Sequence, residues 1–344
     1  MPSIKGIAHV ARHALVGATR YDIKLDIPPW IDAPEDALTA RIQTAFKAMK
    51  AVSAPAWCRP AEFWQRHLDS AYKALNDGRL VEFLHNFGQW PIYTGIEETG
   101  YQAQRISLWL WRKHVEEVYF RAQMKVWLHY DRPIERLAFP RFGNQSGAIY
   151  KSKFIASGLL NDVIASQLES LVRGIERPVI AEIGGGYGKL AYCLLRDLPR
   201  FRYFDFDLPE TLCTAAYYLG KCFPEKRMLL YGESGDFEYF DIILMPPWQI
   251  DKLKSADLFF NKNSLGEMSA DTARTYIAHI ARVTRGYFFH MNHEHERVDD
   301  GLLASEYEVP MRLVYRMPDI FHLVSKNDGR PDIFQYLYAA HTST

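Results

Sequence analysis

The stretch Glu182-Ile183-Gly184-Gly185-Gly186-Tyr187-Gly188 stands between a β-rich run, VIAEIG (179–184), and a helix-like run, YGKLAYCLLRDL (187–198). Glycines in such a strand-to-helix turn let the backbone bend sharply and admit a ligand where a Cβ would exclude it. This device constrains the chain to an α/β sheet with a ligand at the carboxyl end of a strand. A dinucleotide fingerprint, G-x-G-x-x-G, would need its third glycine at 189, where the residue is Lys189. The spacing is instead E-x-G-x-G-x-G.

The same strand-and-helix grammar recurs toward the carboxyl terminus. FRYFDFDL (201–208) reads as a second strand and 210–222 as a helix, with further strands at 227–231, 241–245, 257–260 and 286–290. This alternation implies a doubly wound, Rossmann-like parallel sheet with helices on both faces. RLVYRMP (312–318) and FQYLYAA (334–340) read as two closing antiparallel strands. The first part of the chain has a different texture, with helical spacing at 34–51, 61–75, 79–87 and 102–130 and no convincing β alternation. The expected organisation is an all-α domain over 1–150 that contacts the acceptor, and an α/β domain over 151–344.

Asp207 ends the second strand, 23 residues after Gly184, where such folds place an acid to accept hydrogen bonds from ribose hydroxyls. Asp205 is the other candidate, and Asp207 could alternatively cap the next helix. Leu208 adjoins it. Asp257-Leu-Phe-Phe-Asn261-Lys-Asn263-Ser264-Leu-Gly-Glu267-Met268 puts a second polar cluster at the carboxyl end of a strand. Ser264 and Glu267 lie one helical turn apart and read either as functional groups or as a capping box. Met245-Pro246-Pro247-Trp248 lacks the Asp, Asn or Ser that would accept a hydrogen bond from a target amine, which leaves Trp248 to stack on an adenine or to pack. His290-Met-Asn292-His293-Glu294-His295 is HExH and not HExxH, so no metal site is expected.

The acid two places before the first glycine resembles motif I of class I S-adenosylmethionine-dependent methyltransferases. Together, EIGGGYGKLAY, DLPE, NKNSLGEM and RMPD resemble the sugar O-methyltransferase family of that class, over about 139–340. The resemblance implies S-adenosylmethionine as cofactor, with Glu182 near its amino-acid end. It implies cofactor contacts from Gly184, Gly185, Gly186, Gly188, Asp207, Leu208, Trp248 and Asn261. The acceptor would be a sugar-like small molecule held by Arg141, Asn144 and Ser264, and Glu267 or His293 would remove the hydroxyl proton. Family members carry Gly-Asn-Pro where this chain has Gly143-Asn144-Gln145. A non-sugar natural-product hydroxyl or amine, or a cofactor-binding module without catalysis, are the alternatives.

Composition excludes other classes. Lys plus Arg (41) equals Asp plus Glu (41), so no cationic field draws nucleic acid or an anionic membrane. Four scattered cysteines fit neither a zinc site nor a disulfide framework. No apolar run approaches the roughly 20 residues of a membrane span, and no signal-peptide core is evident, so a cytoplasmic protein is expected. The sequence leaves a homo-oligomer open.

Overall fold

In the computed structural model, the described residues are 23–26, 28–70, 72–89, 120–121, 123–156, 158–198, 200–320 and 332–341. They form strands β1 (Ile23–Asp26), β2 (Gly147–Tyr150), β3 (Lys153–Ala156), β4 (Val179–Ile183), β5 (Arg202–Phe206), β6 (Met228–Leu230), β7 (Ile242–Met245), β8 (Ala256–Lys262), β9 (Thr284–His293), β10 (Arg312–Pro318) and β11 (Ile333–Ala339). The helices are α1 (Ala37–Lys50), α2 (Glu62–Leu68), α3 (Lys73–Asn76), α4 (Leu80–Asn86), α5 (Asn161–Leu171), α6 (Lys189–Asp197), α7 (Pro209–Cys222) and α8 (Ala270–Val283).

Eight strands form one sheet in the order β10-β11-β9-β8-β4-β5-β7-β6. β9, β8, β4, β5, β7 and β6 run parallel, and β11 and β10 pair antiparallel. β4 is buried along its whole length, as a central parallel strand covered on both faces must be. Each crossover helix shows its cause in the sequence. Pro209 opens α7 at its first turn. Ser269 caps α8 by accepting a hydrogen bond from Thr272 N–H, and Ala273, Tyr276, Ile277, Ile280 and Val283 bury the α8 stripe.

The chain divides into two compact units that interleave in sequence. One comprises Met1–Pro34, Val81–Ile164 and Ile320–Pro331; the other comprises Glu35–Leu80, Ala165–Asp319 and Asp332–Thr344. The division therefore does not match the expected boundary near 150. Residues 35–80 go with the large sheet because α1 buries Ile42, Ala45 and Met49 beside Leu212, Cys213 and Ala216 of α7. Lys50 also pairs with buried Glu210 at 2.8 Å. The N-terminal region is helical as expected, with α1 to α4, and carries strands that the sequence reading did not include. β1, β2 and β3 form a small antiparallel sheet that joins strands more than a hundred residues apart, a pairing that local alternation does not reveal. The helix expected over 102–130 lies mostly outside the described residues, and the part described ends in a 3-10 turn at Leu128–Tyr130.

Candidate active site at the carboxyl edge of the sheet

The strand register brings the polar clusters level with one another. Ile183 pairs with Phe206 on one side and with Asn261 on the other, Asn261 pairs with His290, and His293 pairs with Ile333. The residues just beyond these positions share the carboxyl edge.

The glycine turn is pinned by acids. Gly185 N–H donates to Asp205 Oδ1 and Gly186 N–H to Asp207 Oδ2, both at 3.0 Å. Asp205 lies fully buried beneath the turn, which removes it as a ribose ligand; Asp207 is half-buried and accepts also from Leu208 N–H at 2.7 Å. Leu208, not Asp207, is the helix cap of α7. Burial pushes both aspartates well above the usual carboxylate range. Glu182 is buried too, accepts from Tyr203 O–H at 2.5 Å, and is pushed up to about 7 by burial.

The glycines differ in purpose. A Cβ on Gly184 would lie 2.3 Å from Ser264 Oγ, and one on Gly188 would lie 3.0 Å from the Leu219 side chain. Those two glycines allow close packing. A Cβ on Gly186 would meet nothing within 4 Å, so the room beside the turn opens there.

Asn261 is corrected from cofactor contact to scaffold. β8 continues past it, and it is fully buried, donating to Ile183 O at 2.7 Å and to Ser264 Oγ at 2.5 Å. Its Oδ1 accepts from Asn292 Nδ2 at 2.8 Å. Ser264 donates to Ile183 O at 2.9 Å and is likewise sealed into this lattice. The helical capping box does not form, because Ser264–Glu267 is a 3-10 turn whose cap is Asn263. Asn263 holds φ 65° and ψ −44°, a conformation that costs a non-glycine residue roughly 1–3 kcal/mol.

Glu267 is buried, and its Oε2 accepts from the indole N–H of Trp64 at 3.1 Å. Trp64, on α2, makes ring contacts with Phe63 and His67 at 5.8 and 5.5 Å. The adjoining Gly266 sits beside the next strand, since a Cβ there would lie 3.7 Å from His293 Cδ2.

The histidine stretch, expected to lie beyond its strand, continues β9, because β11 pairs with it as far as His293. His290 therefore turns inward and stacks on Tyr336 at 4.8 Å, with burial pushing it down to about 3. His293 is about one-quarter exposed, and its Nδ1 lies 2.5 Å from Asp332 Oδ2. Hydrogen bonds from His293 and from the N–H groups of His295 and Glu296 hold Asp332 well below the usual carboxylate range, against its burial. An ionised Asp332 keeps the ring proton on Nδ1 and leaves Nε2 as a hydrogen-bond acceptor. Sequence reasoning missed Trp64 and Asp332; neither stands in a motif, and only the fold brings each to its partner.

Trp248 lies in a 3-10 turn after β7, edge-on to Tyr231 at 6.1 Å. A cavity of about 790 Å³ nearby is lined by Phe204, Tyr231, Met245 and Gln249 among others, but by none of Gly186, Asp207, Glu267 or His293. Arg141 and Asn144 belong to the smaller unit and are engaged within it. Arg141 pairs with Asp26 at 2.9 Å, and buried Asn144 donates to Pro29 O at 2.6 Å and to Asn86 Oδ1 at 2.9 Å. Among the described residues, no cluster of His, Cys, Asp and Glu could hold a metal, and no helix is long and apolar enough to cross a membrane.

No family model and no curated protein matches the chain. Among solved structures, it is similar to the mitomycin 7-O-methyltransferase MmcR, with 13% identity, TM-score 0.38, 89% of this chain and 74% of that one. It is also similar to magnesium protoporphyrin IX methyltransferase (ChlM) from Synechocystis PCC 6803 with bound SAM, with 10% identity, TM-score 0.37, 53% of this chain and 78% of that one. The methyltransferase domain of bacterial CtHen1 matches 52% of this chain with 99% of its own, at 9% identity and TM-score 0.37. Likeness at this level carries no functional weight, and the site's own geometry has to bear the reading.

Proposed function

We propose that the protein is an S-adenosylmethionine-dependent O-methyltransferase acting on a sugar or glycosylated small molecule. The observation that carries the reading is His293, oriented by Asp332 beside the Ser264–Glu267 turn, on the same sheet edge as the glycine turn. The residues fit the cofactor. Gly186 opens into free space where a ligand backbone can pass, and half-buried Asp207 presents a carboxylate to ribose hydroxyls.

Held beside Gly186 and Asp207, the cofactor would supply an electrophilic methyl group on a sulfonium, with the thioether S-adenosylhomocysteine as the leaving group. The chain's own residues align the partners and manage the proton. His293 Nε2 accepts the hydroxyl proton as the oxygen–carbon bond forms, and Asp332 stabilises the imidazolium that results. Glu267, fixed by Trp64, accepts a hydrogen bond from the acceptor and orients it. Trp64 and its neighbours supply an aromatic face suited to the apolar face of a sugar ring. Acceptor selection is thereby assigned to the N-terminal part of the chain.

Calorimetry with S-adenosylhomocysteine and with NAD, followed by methyl transfer from labelled cofactor to panels of glycosides and of non-sugar phenols, alcohols and amines, tests the reading. Binding of S-adenosylhomocysteine and not NAD, with label entering glycosides, is expected. Binding of NAD alone overturns the reading, label in the other panel overturns the sugar, and binding without turnover on either panel leaves a cofactor-binding module.

A further inference from the structure

The two faces of the large sheet are finished differently at its β6 edge. On one face α1 and α7 pack over Leu230 and Leu244. On the other, the chain passes from β6 to β7 and from β7 to β8 through 3-10 turns, Phe237–Tyr239 and Pro247–Lys252, where a doubly wound sheet commonly places helices. Phe204 and Leu229 both stand level with Ile243 and share this second face. Above them lies the cavity of about 790 Å³. It runs from Arg202, which opens β5, to Met245, which pairs with the last residue of that strand, a span of about 13 Å. A volume of this order takes a small organic molecule. The place proposed for the methyl donor is elsewhere: Asp205, next to Phe204, points to the opposite face, where it holds Gly185 N–H.

The walls say what the cavity would take. Phe204, Leu229, Met245 and Leu253 are buried and give it an apolar floor. Phe237 stands edge-on to Phe204 at 5.4 Å, and Tyr231 adds a third ring. Rings and a thioether favour an aromatic body over an alkyl chain. The charged groups are unevenly committed. Glu233 is held by Arg41 at 2.7 Å and Glu238 by Arg202 at 2.6 Å, while Asp236 caps its own turn by accepting Glu238 N–H at 3.0 Å. Lys252 and Lys254 are exposed at the rim and form no ion pair among the described residues; Lys254 donates to Asp251 O at 3.1 Å. Two ammonium groups without a counter-charge, beside an aromatic floor, suit a ligand with one anionic end.

We infer that this cavity is a ligand site separate from the glycine turn, for a small aromatic anion. It stands independently of the proposed activity. The probe is anilinonaphthalenesulfonate, read by fluorescence, with the uncharged N-phenylnaphthylamine and the alkyl anion decanoate as comparisons. The full chain should bind one sulfonate probe, more tightly than either comparison and without displacement by S-adenosylhomocysteine. Ala48→Trp places a ring in the cavity from the half-buried flank of α1 and should weaken the probe at least about tenfold, with folding checked by thermal melting. The exposed pair Lys252→Glu and Lys254→Glu, made together, should weaken the sulfonate probe about tenfold and leave N-phenylnaphthylamine as in the wild type. Should Ala48→Trp melt early, the lysine pair alone decides. No binding by the wild type, unchanged sulfonate binding in a folded variant, equal loss of both probes in the lysine variant, or displacement by S-adenosylhomocysteine overturns the inference. Decanoate bound as tightly as the sulfonate probe overturns the aromatic class.

Discussion

Trp64 donates its indole N–H to Glu267 at 3.1 Å across 203 residues of sequence. The bond ties α2 to the turn after β8 and joins the aromatic proposed to face the acceptor to a buried carboxylate. Trp64→Phe and Glu267→Gln should each raise the acceptor KM, and the double variant should lose less than the sum of the two. A double-mutant cycle on KM measures this; full additivity would separate the residues.

His293→Ala should lower kcat by about 10²- to 10⁴-fold and leave S-adenosylhomocysteine affinity near wild type. Asp332→Asn should lower kcat as well, because the ring loses the carboxylate that fixes its tautomer. Since Asp332 also holds the N–H groups of His295 and Glu296, this variant should melt at a lower temperature than His293→Ala, which removes only one of the three donors to Asp332. Turnover and thermal melting on both variants check the distinction.

Gly184 and Gly186 should respond differently to alanine. Gly184→Ala forces a methyl against Ser264 Oγ and should destabilise the protein. Gly186→Ala meets no protein atom, so beyond the strain of an alanine at φ 61° it should cost less stability than Gly184→Ala and should chiefly weaken cofactor binding, since its methyl enters the space assigned to the ligand. Melting curves paired with calorimetry separate the two effects.

Burial raises Glu182 to about 7 and Asp207 in the same direction. Their folded forms hold protons that the unfolded chain has released, so their contribution to stability is present at low pH and is lost as pH rises through the folded values. The melting temperature of the free protein should carry this falling component across neutrality. The gain from S-adenosylhomocysteine should rise over the same interval, because an ionised Asp207 accepts ribose hydroxyls better. Melting with and without ligand from pH 5 to 8.5, on wild type and Asp207→Asn, tests the sign; a ligand gain independent of pH in the wild type contradicts it.

Arg141→Ala and Asn144→Ala should lower stability and leave S-adenosylhomocysteine affinity unchanged, since both side chains hold their own unit together. Calorimetry showing a tenfold loss would return that loop to the site.

Legibility tracks the range of the interactions. The large sheet is readable because each strand and the helix after it carry their own period and caps; VIAEI, RYFDF and the α8 stripe declare themselves within a dozen residues. Asp207 is placed by its distance from Gly184. Asn261 and Ser264 do sit at the sheet edge, yet they face inward and not outward, because whether a polar side chain points to a ligand or into a lattice depends on strands distant in sequence. The three-stranded sheet, Trp64 and Asp332 depend wholly on such long-range pairing.

The place of β11 has a consequence for assembly. It lies between β9 and β10, although β10 precedes it in the chain, and it is preceded directly by Asp332. A protein cut ahead of Asp332 would keep every glycine of the turn and the whole parallel sheet, but would lose the carboxylate that orients His293. Placing β11 in its slot therefore also places the carboxylate that meets His293, so under the proposed function the sheet's last inserted strand and the proton acceptor are completed together.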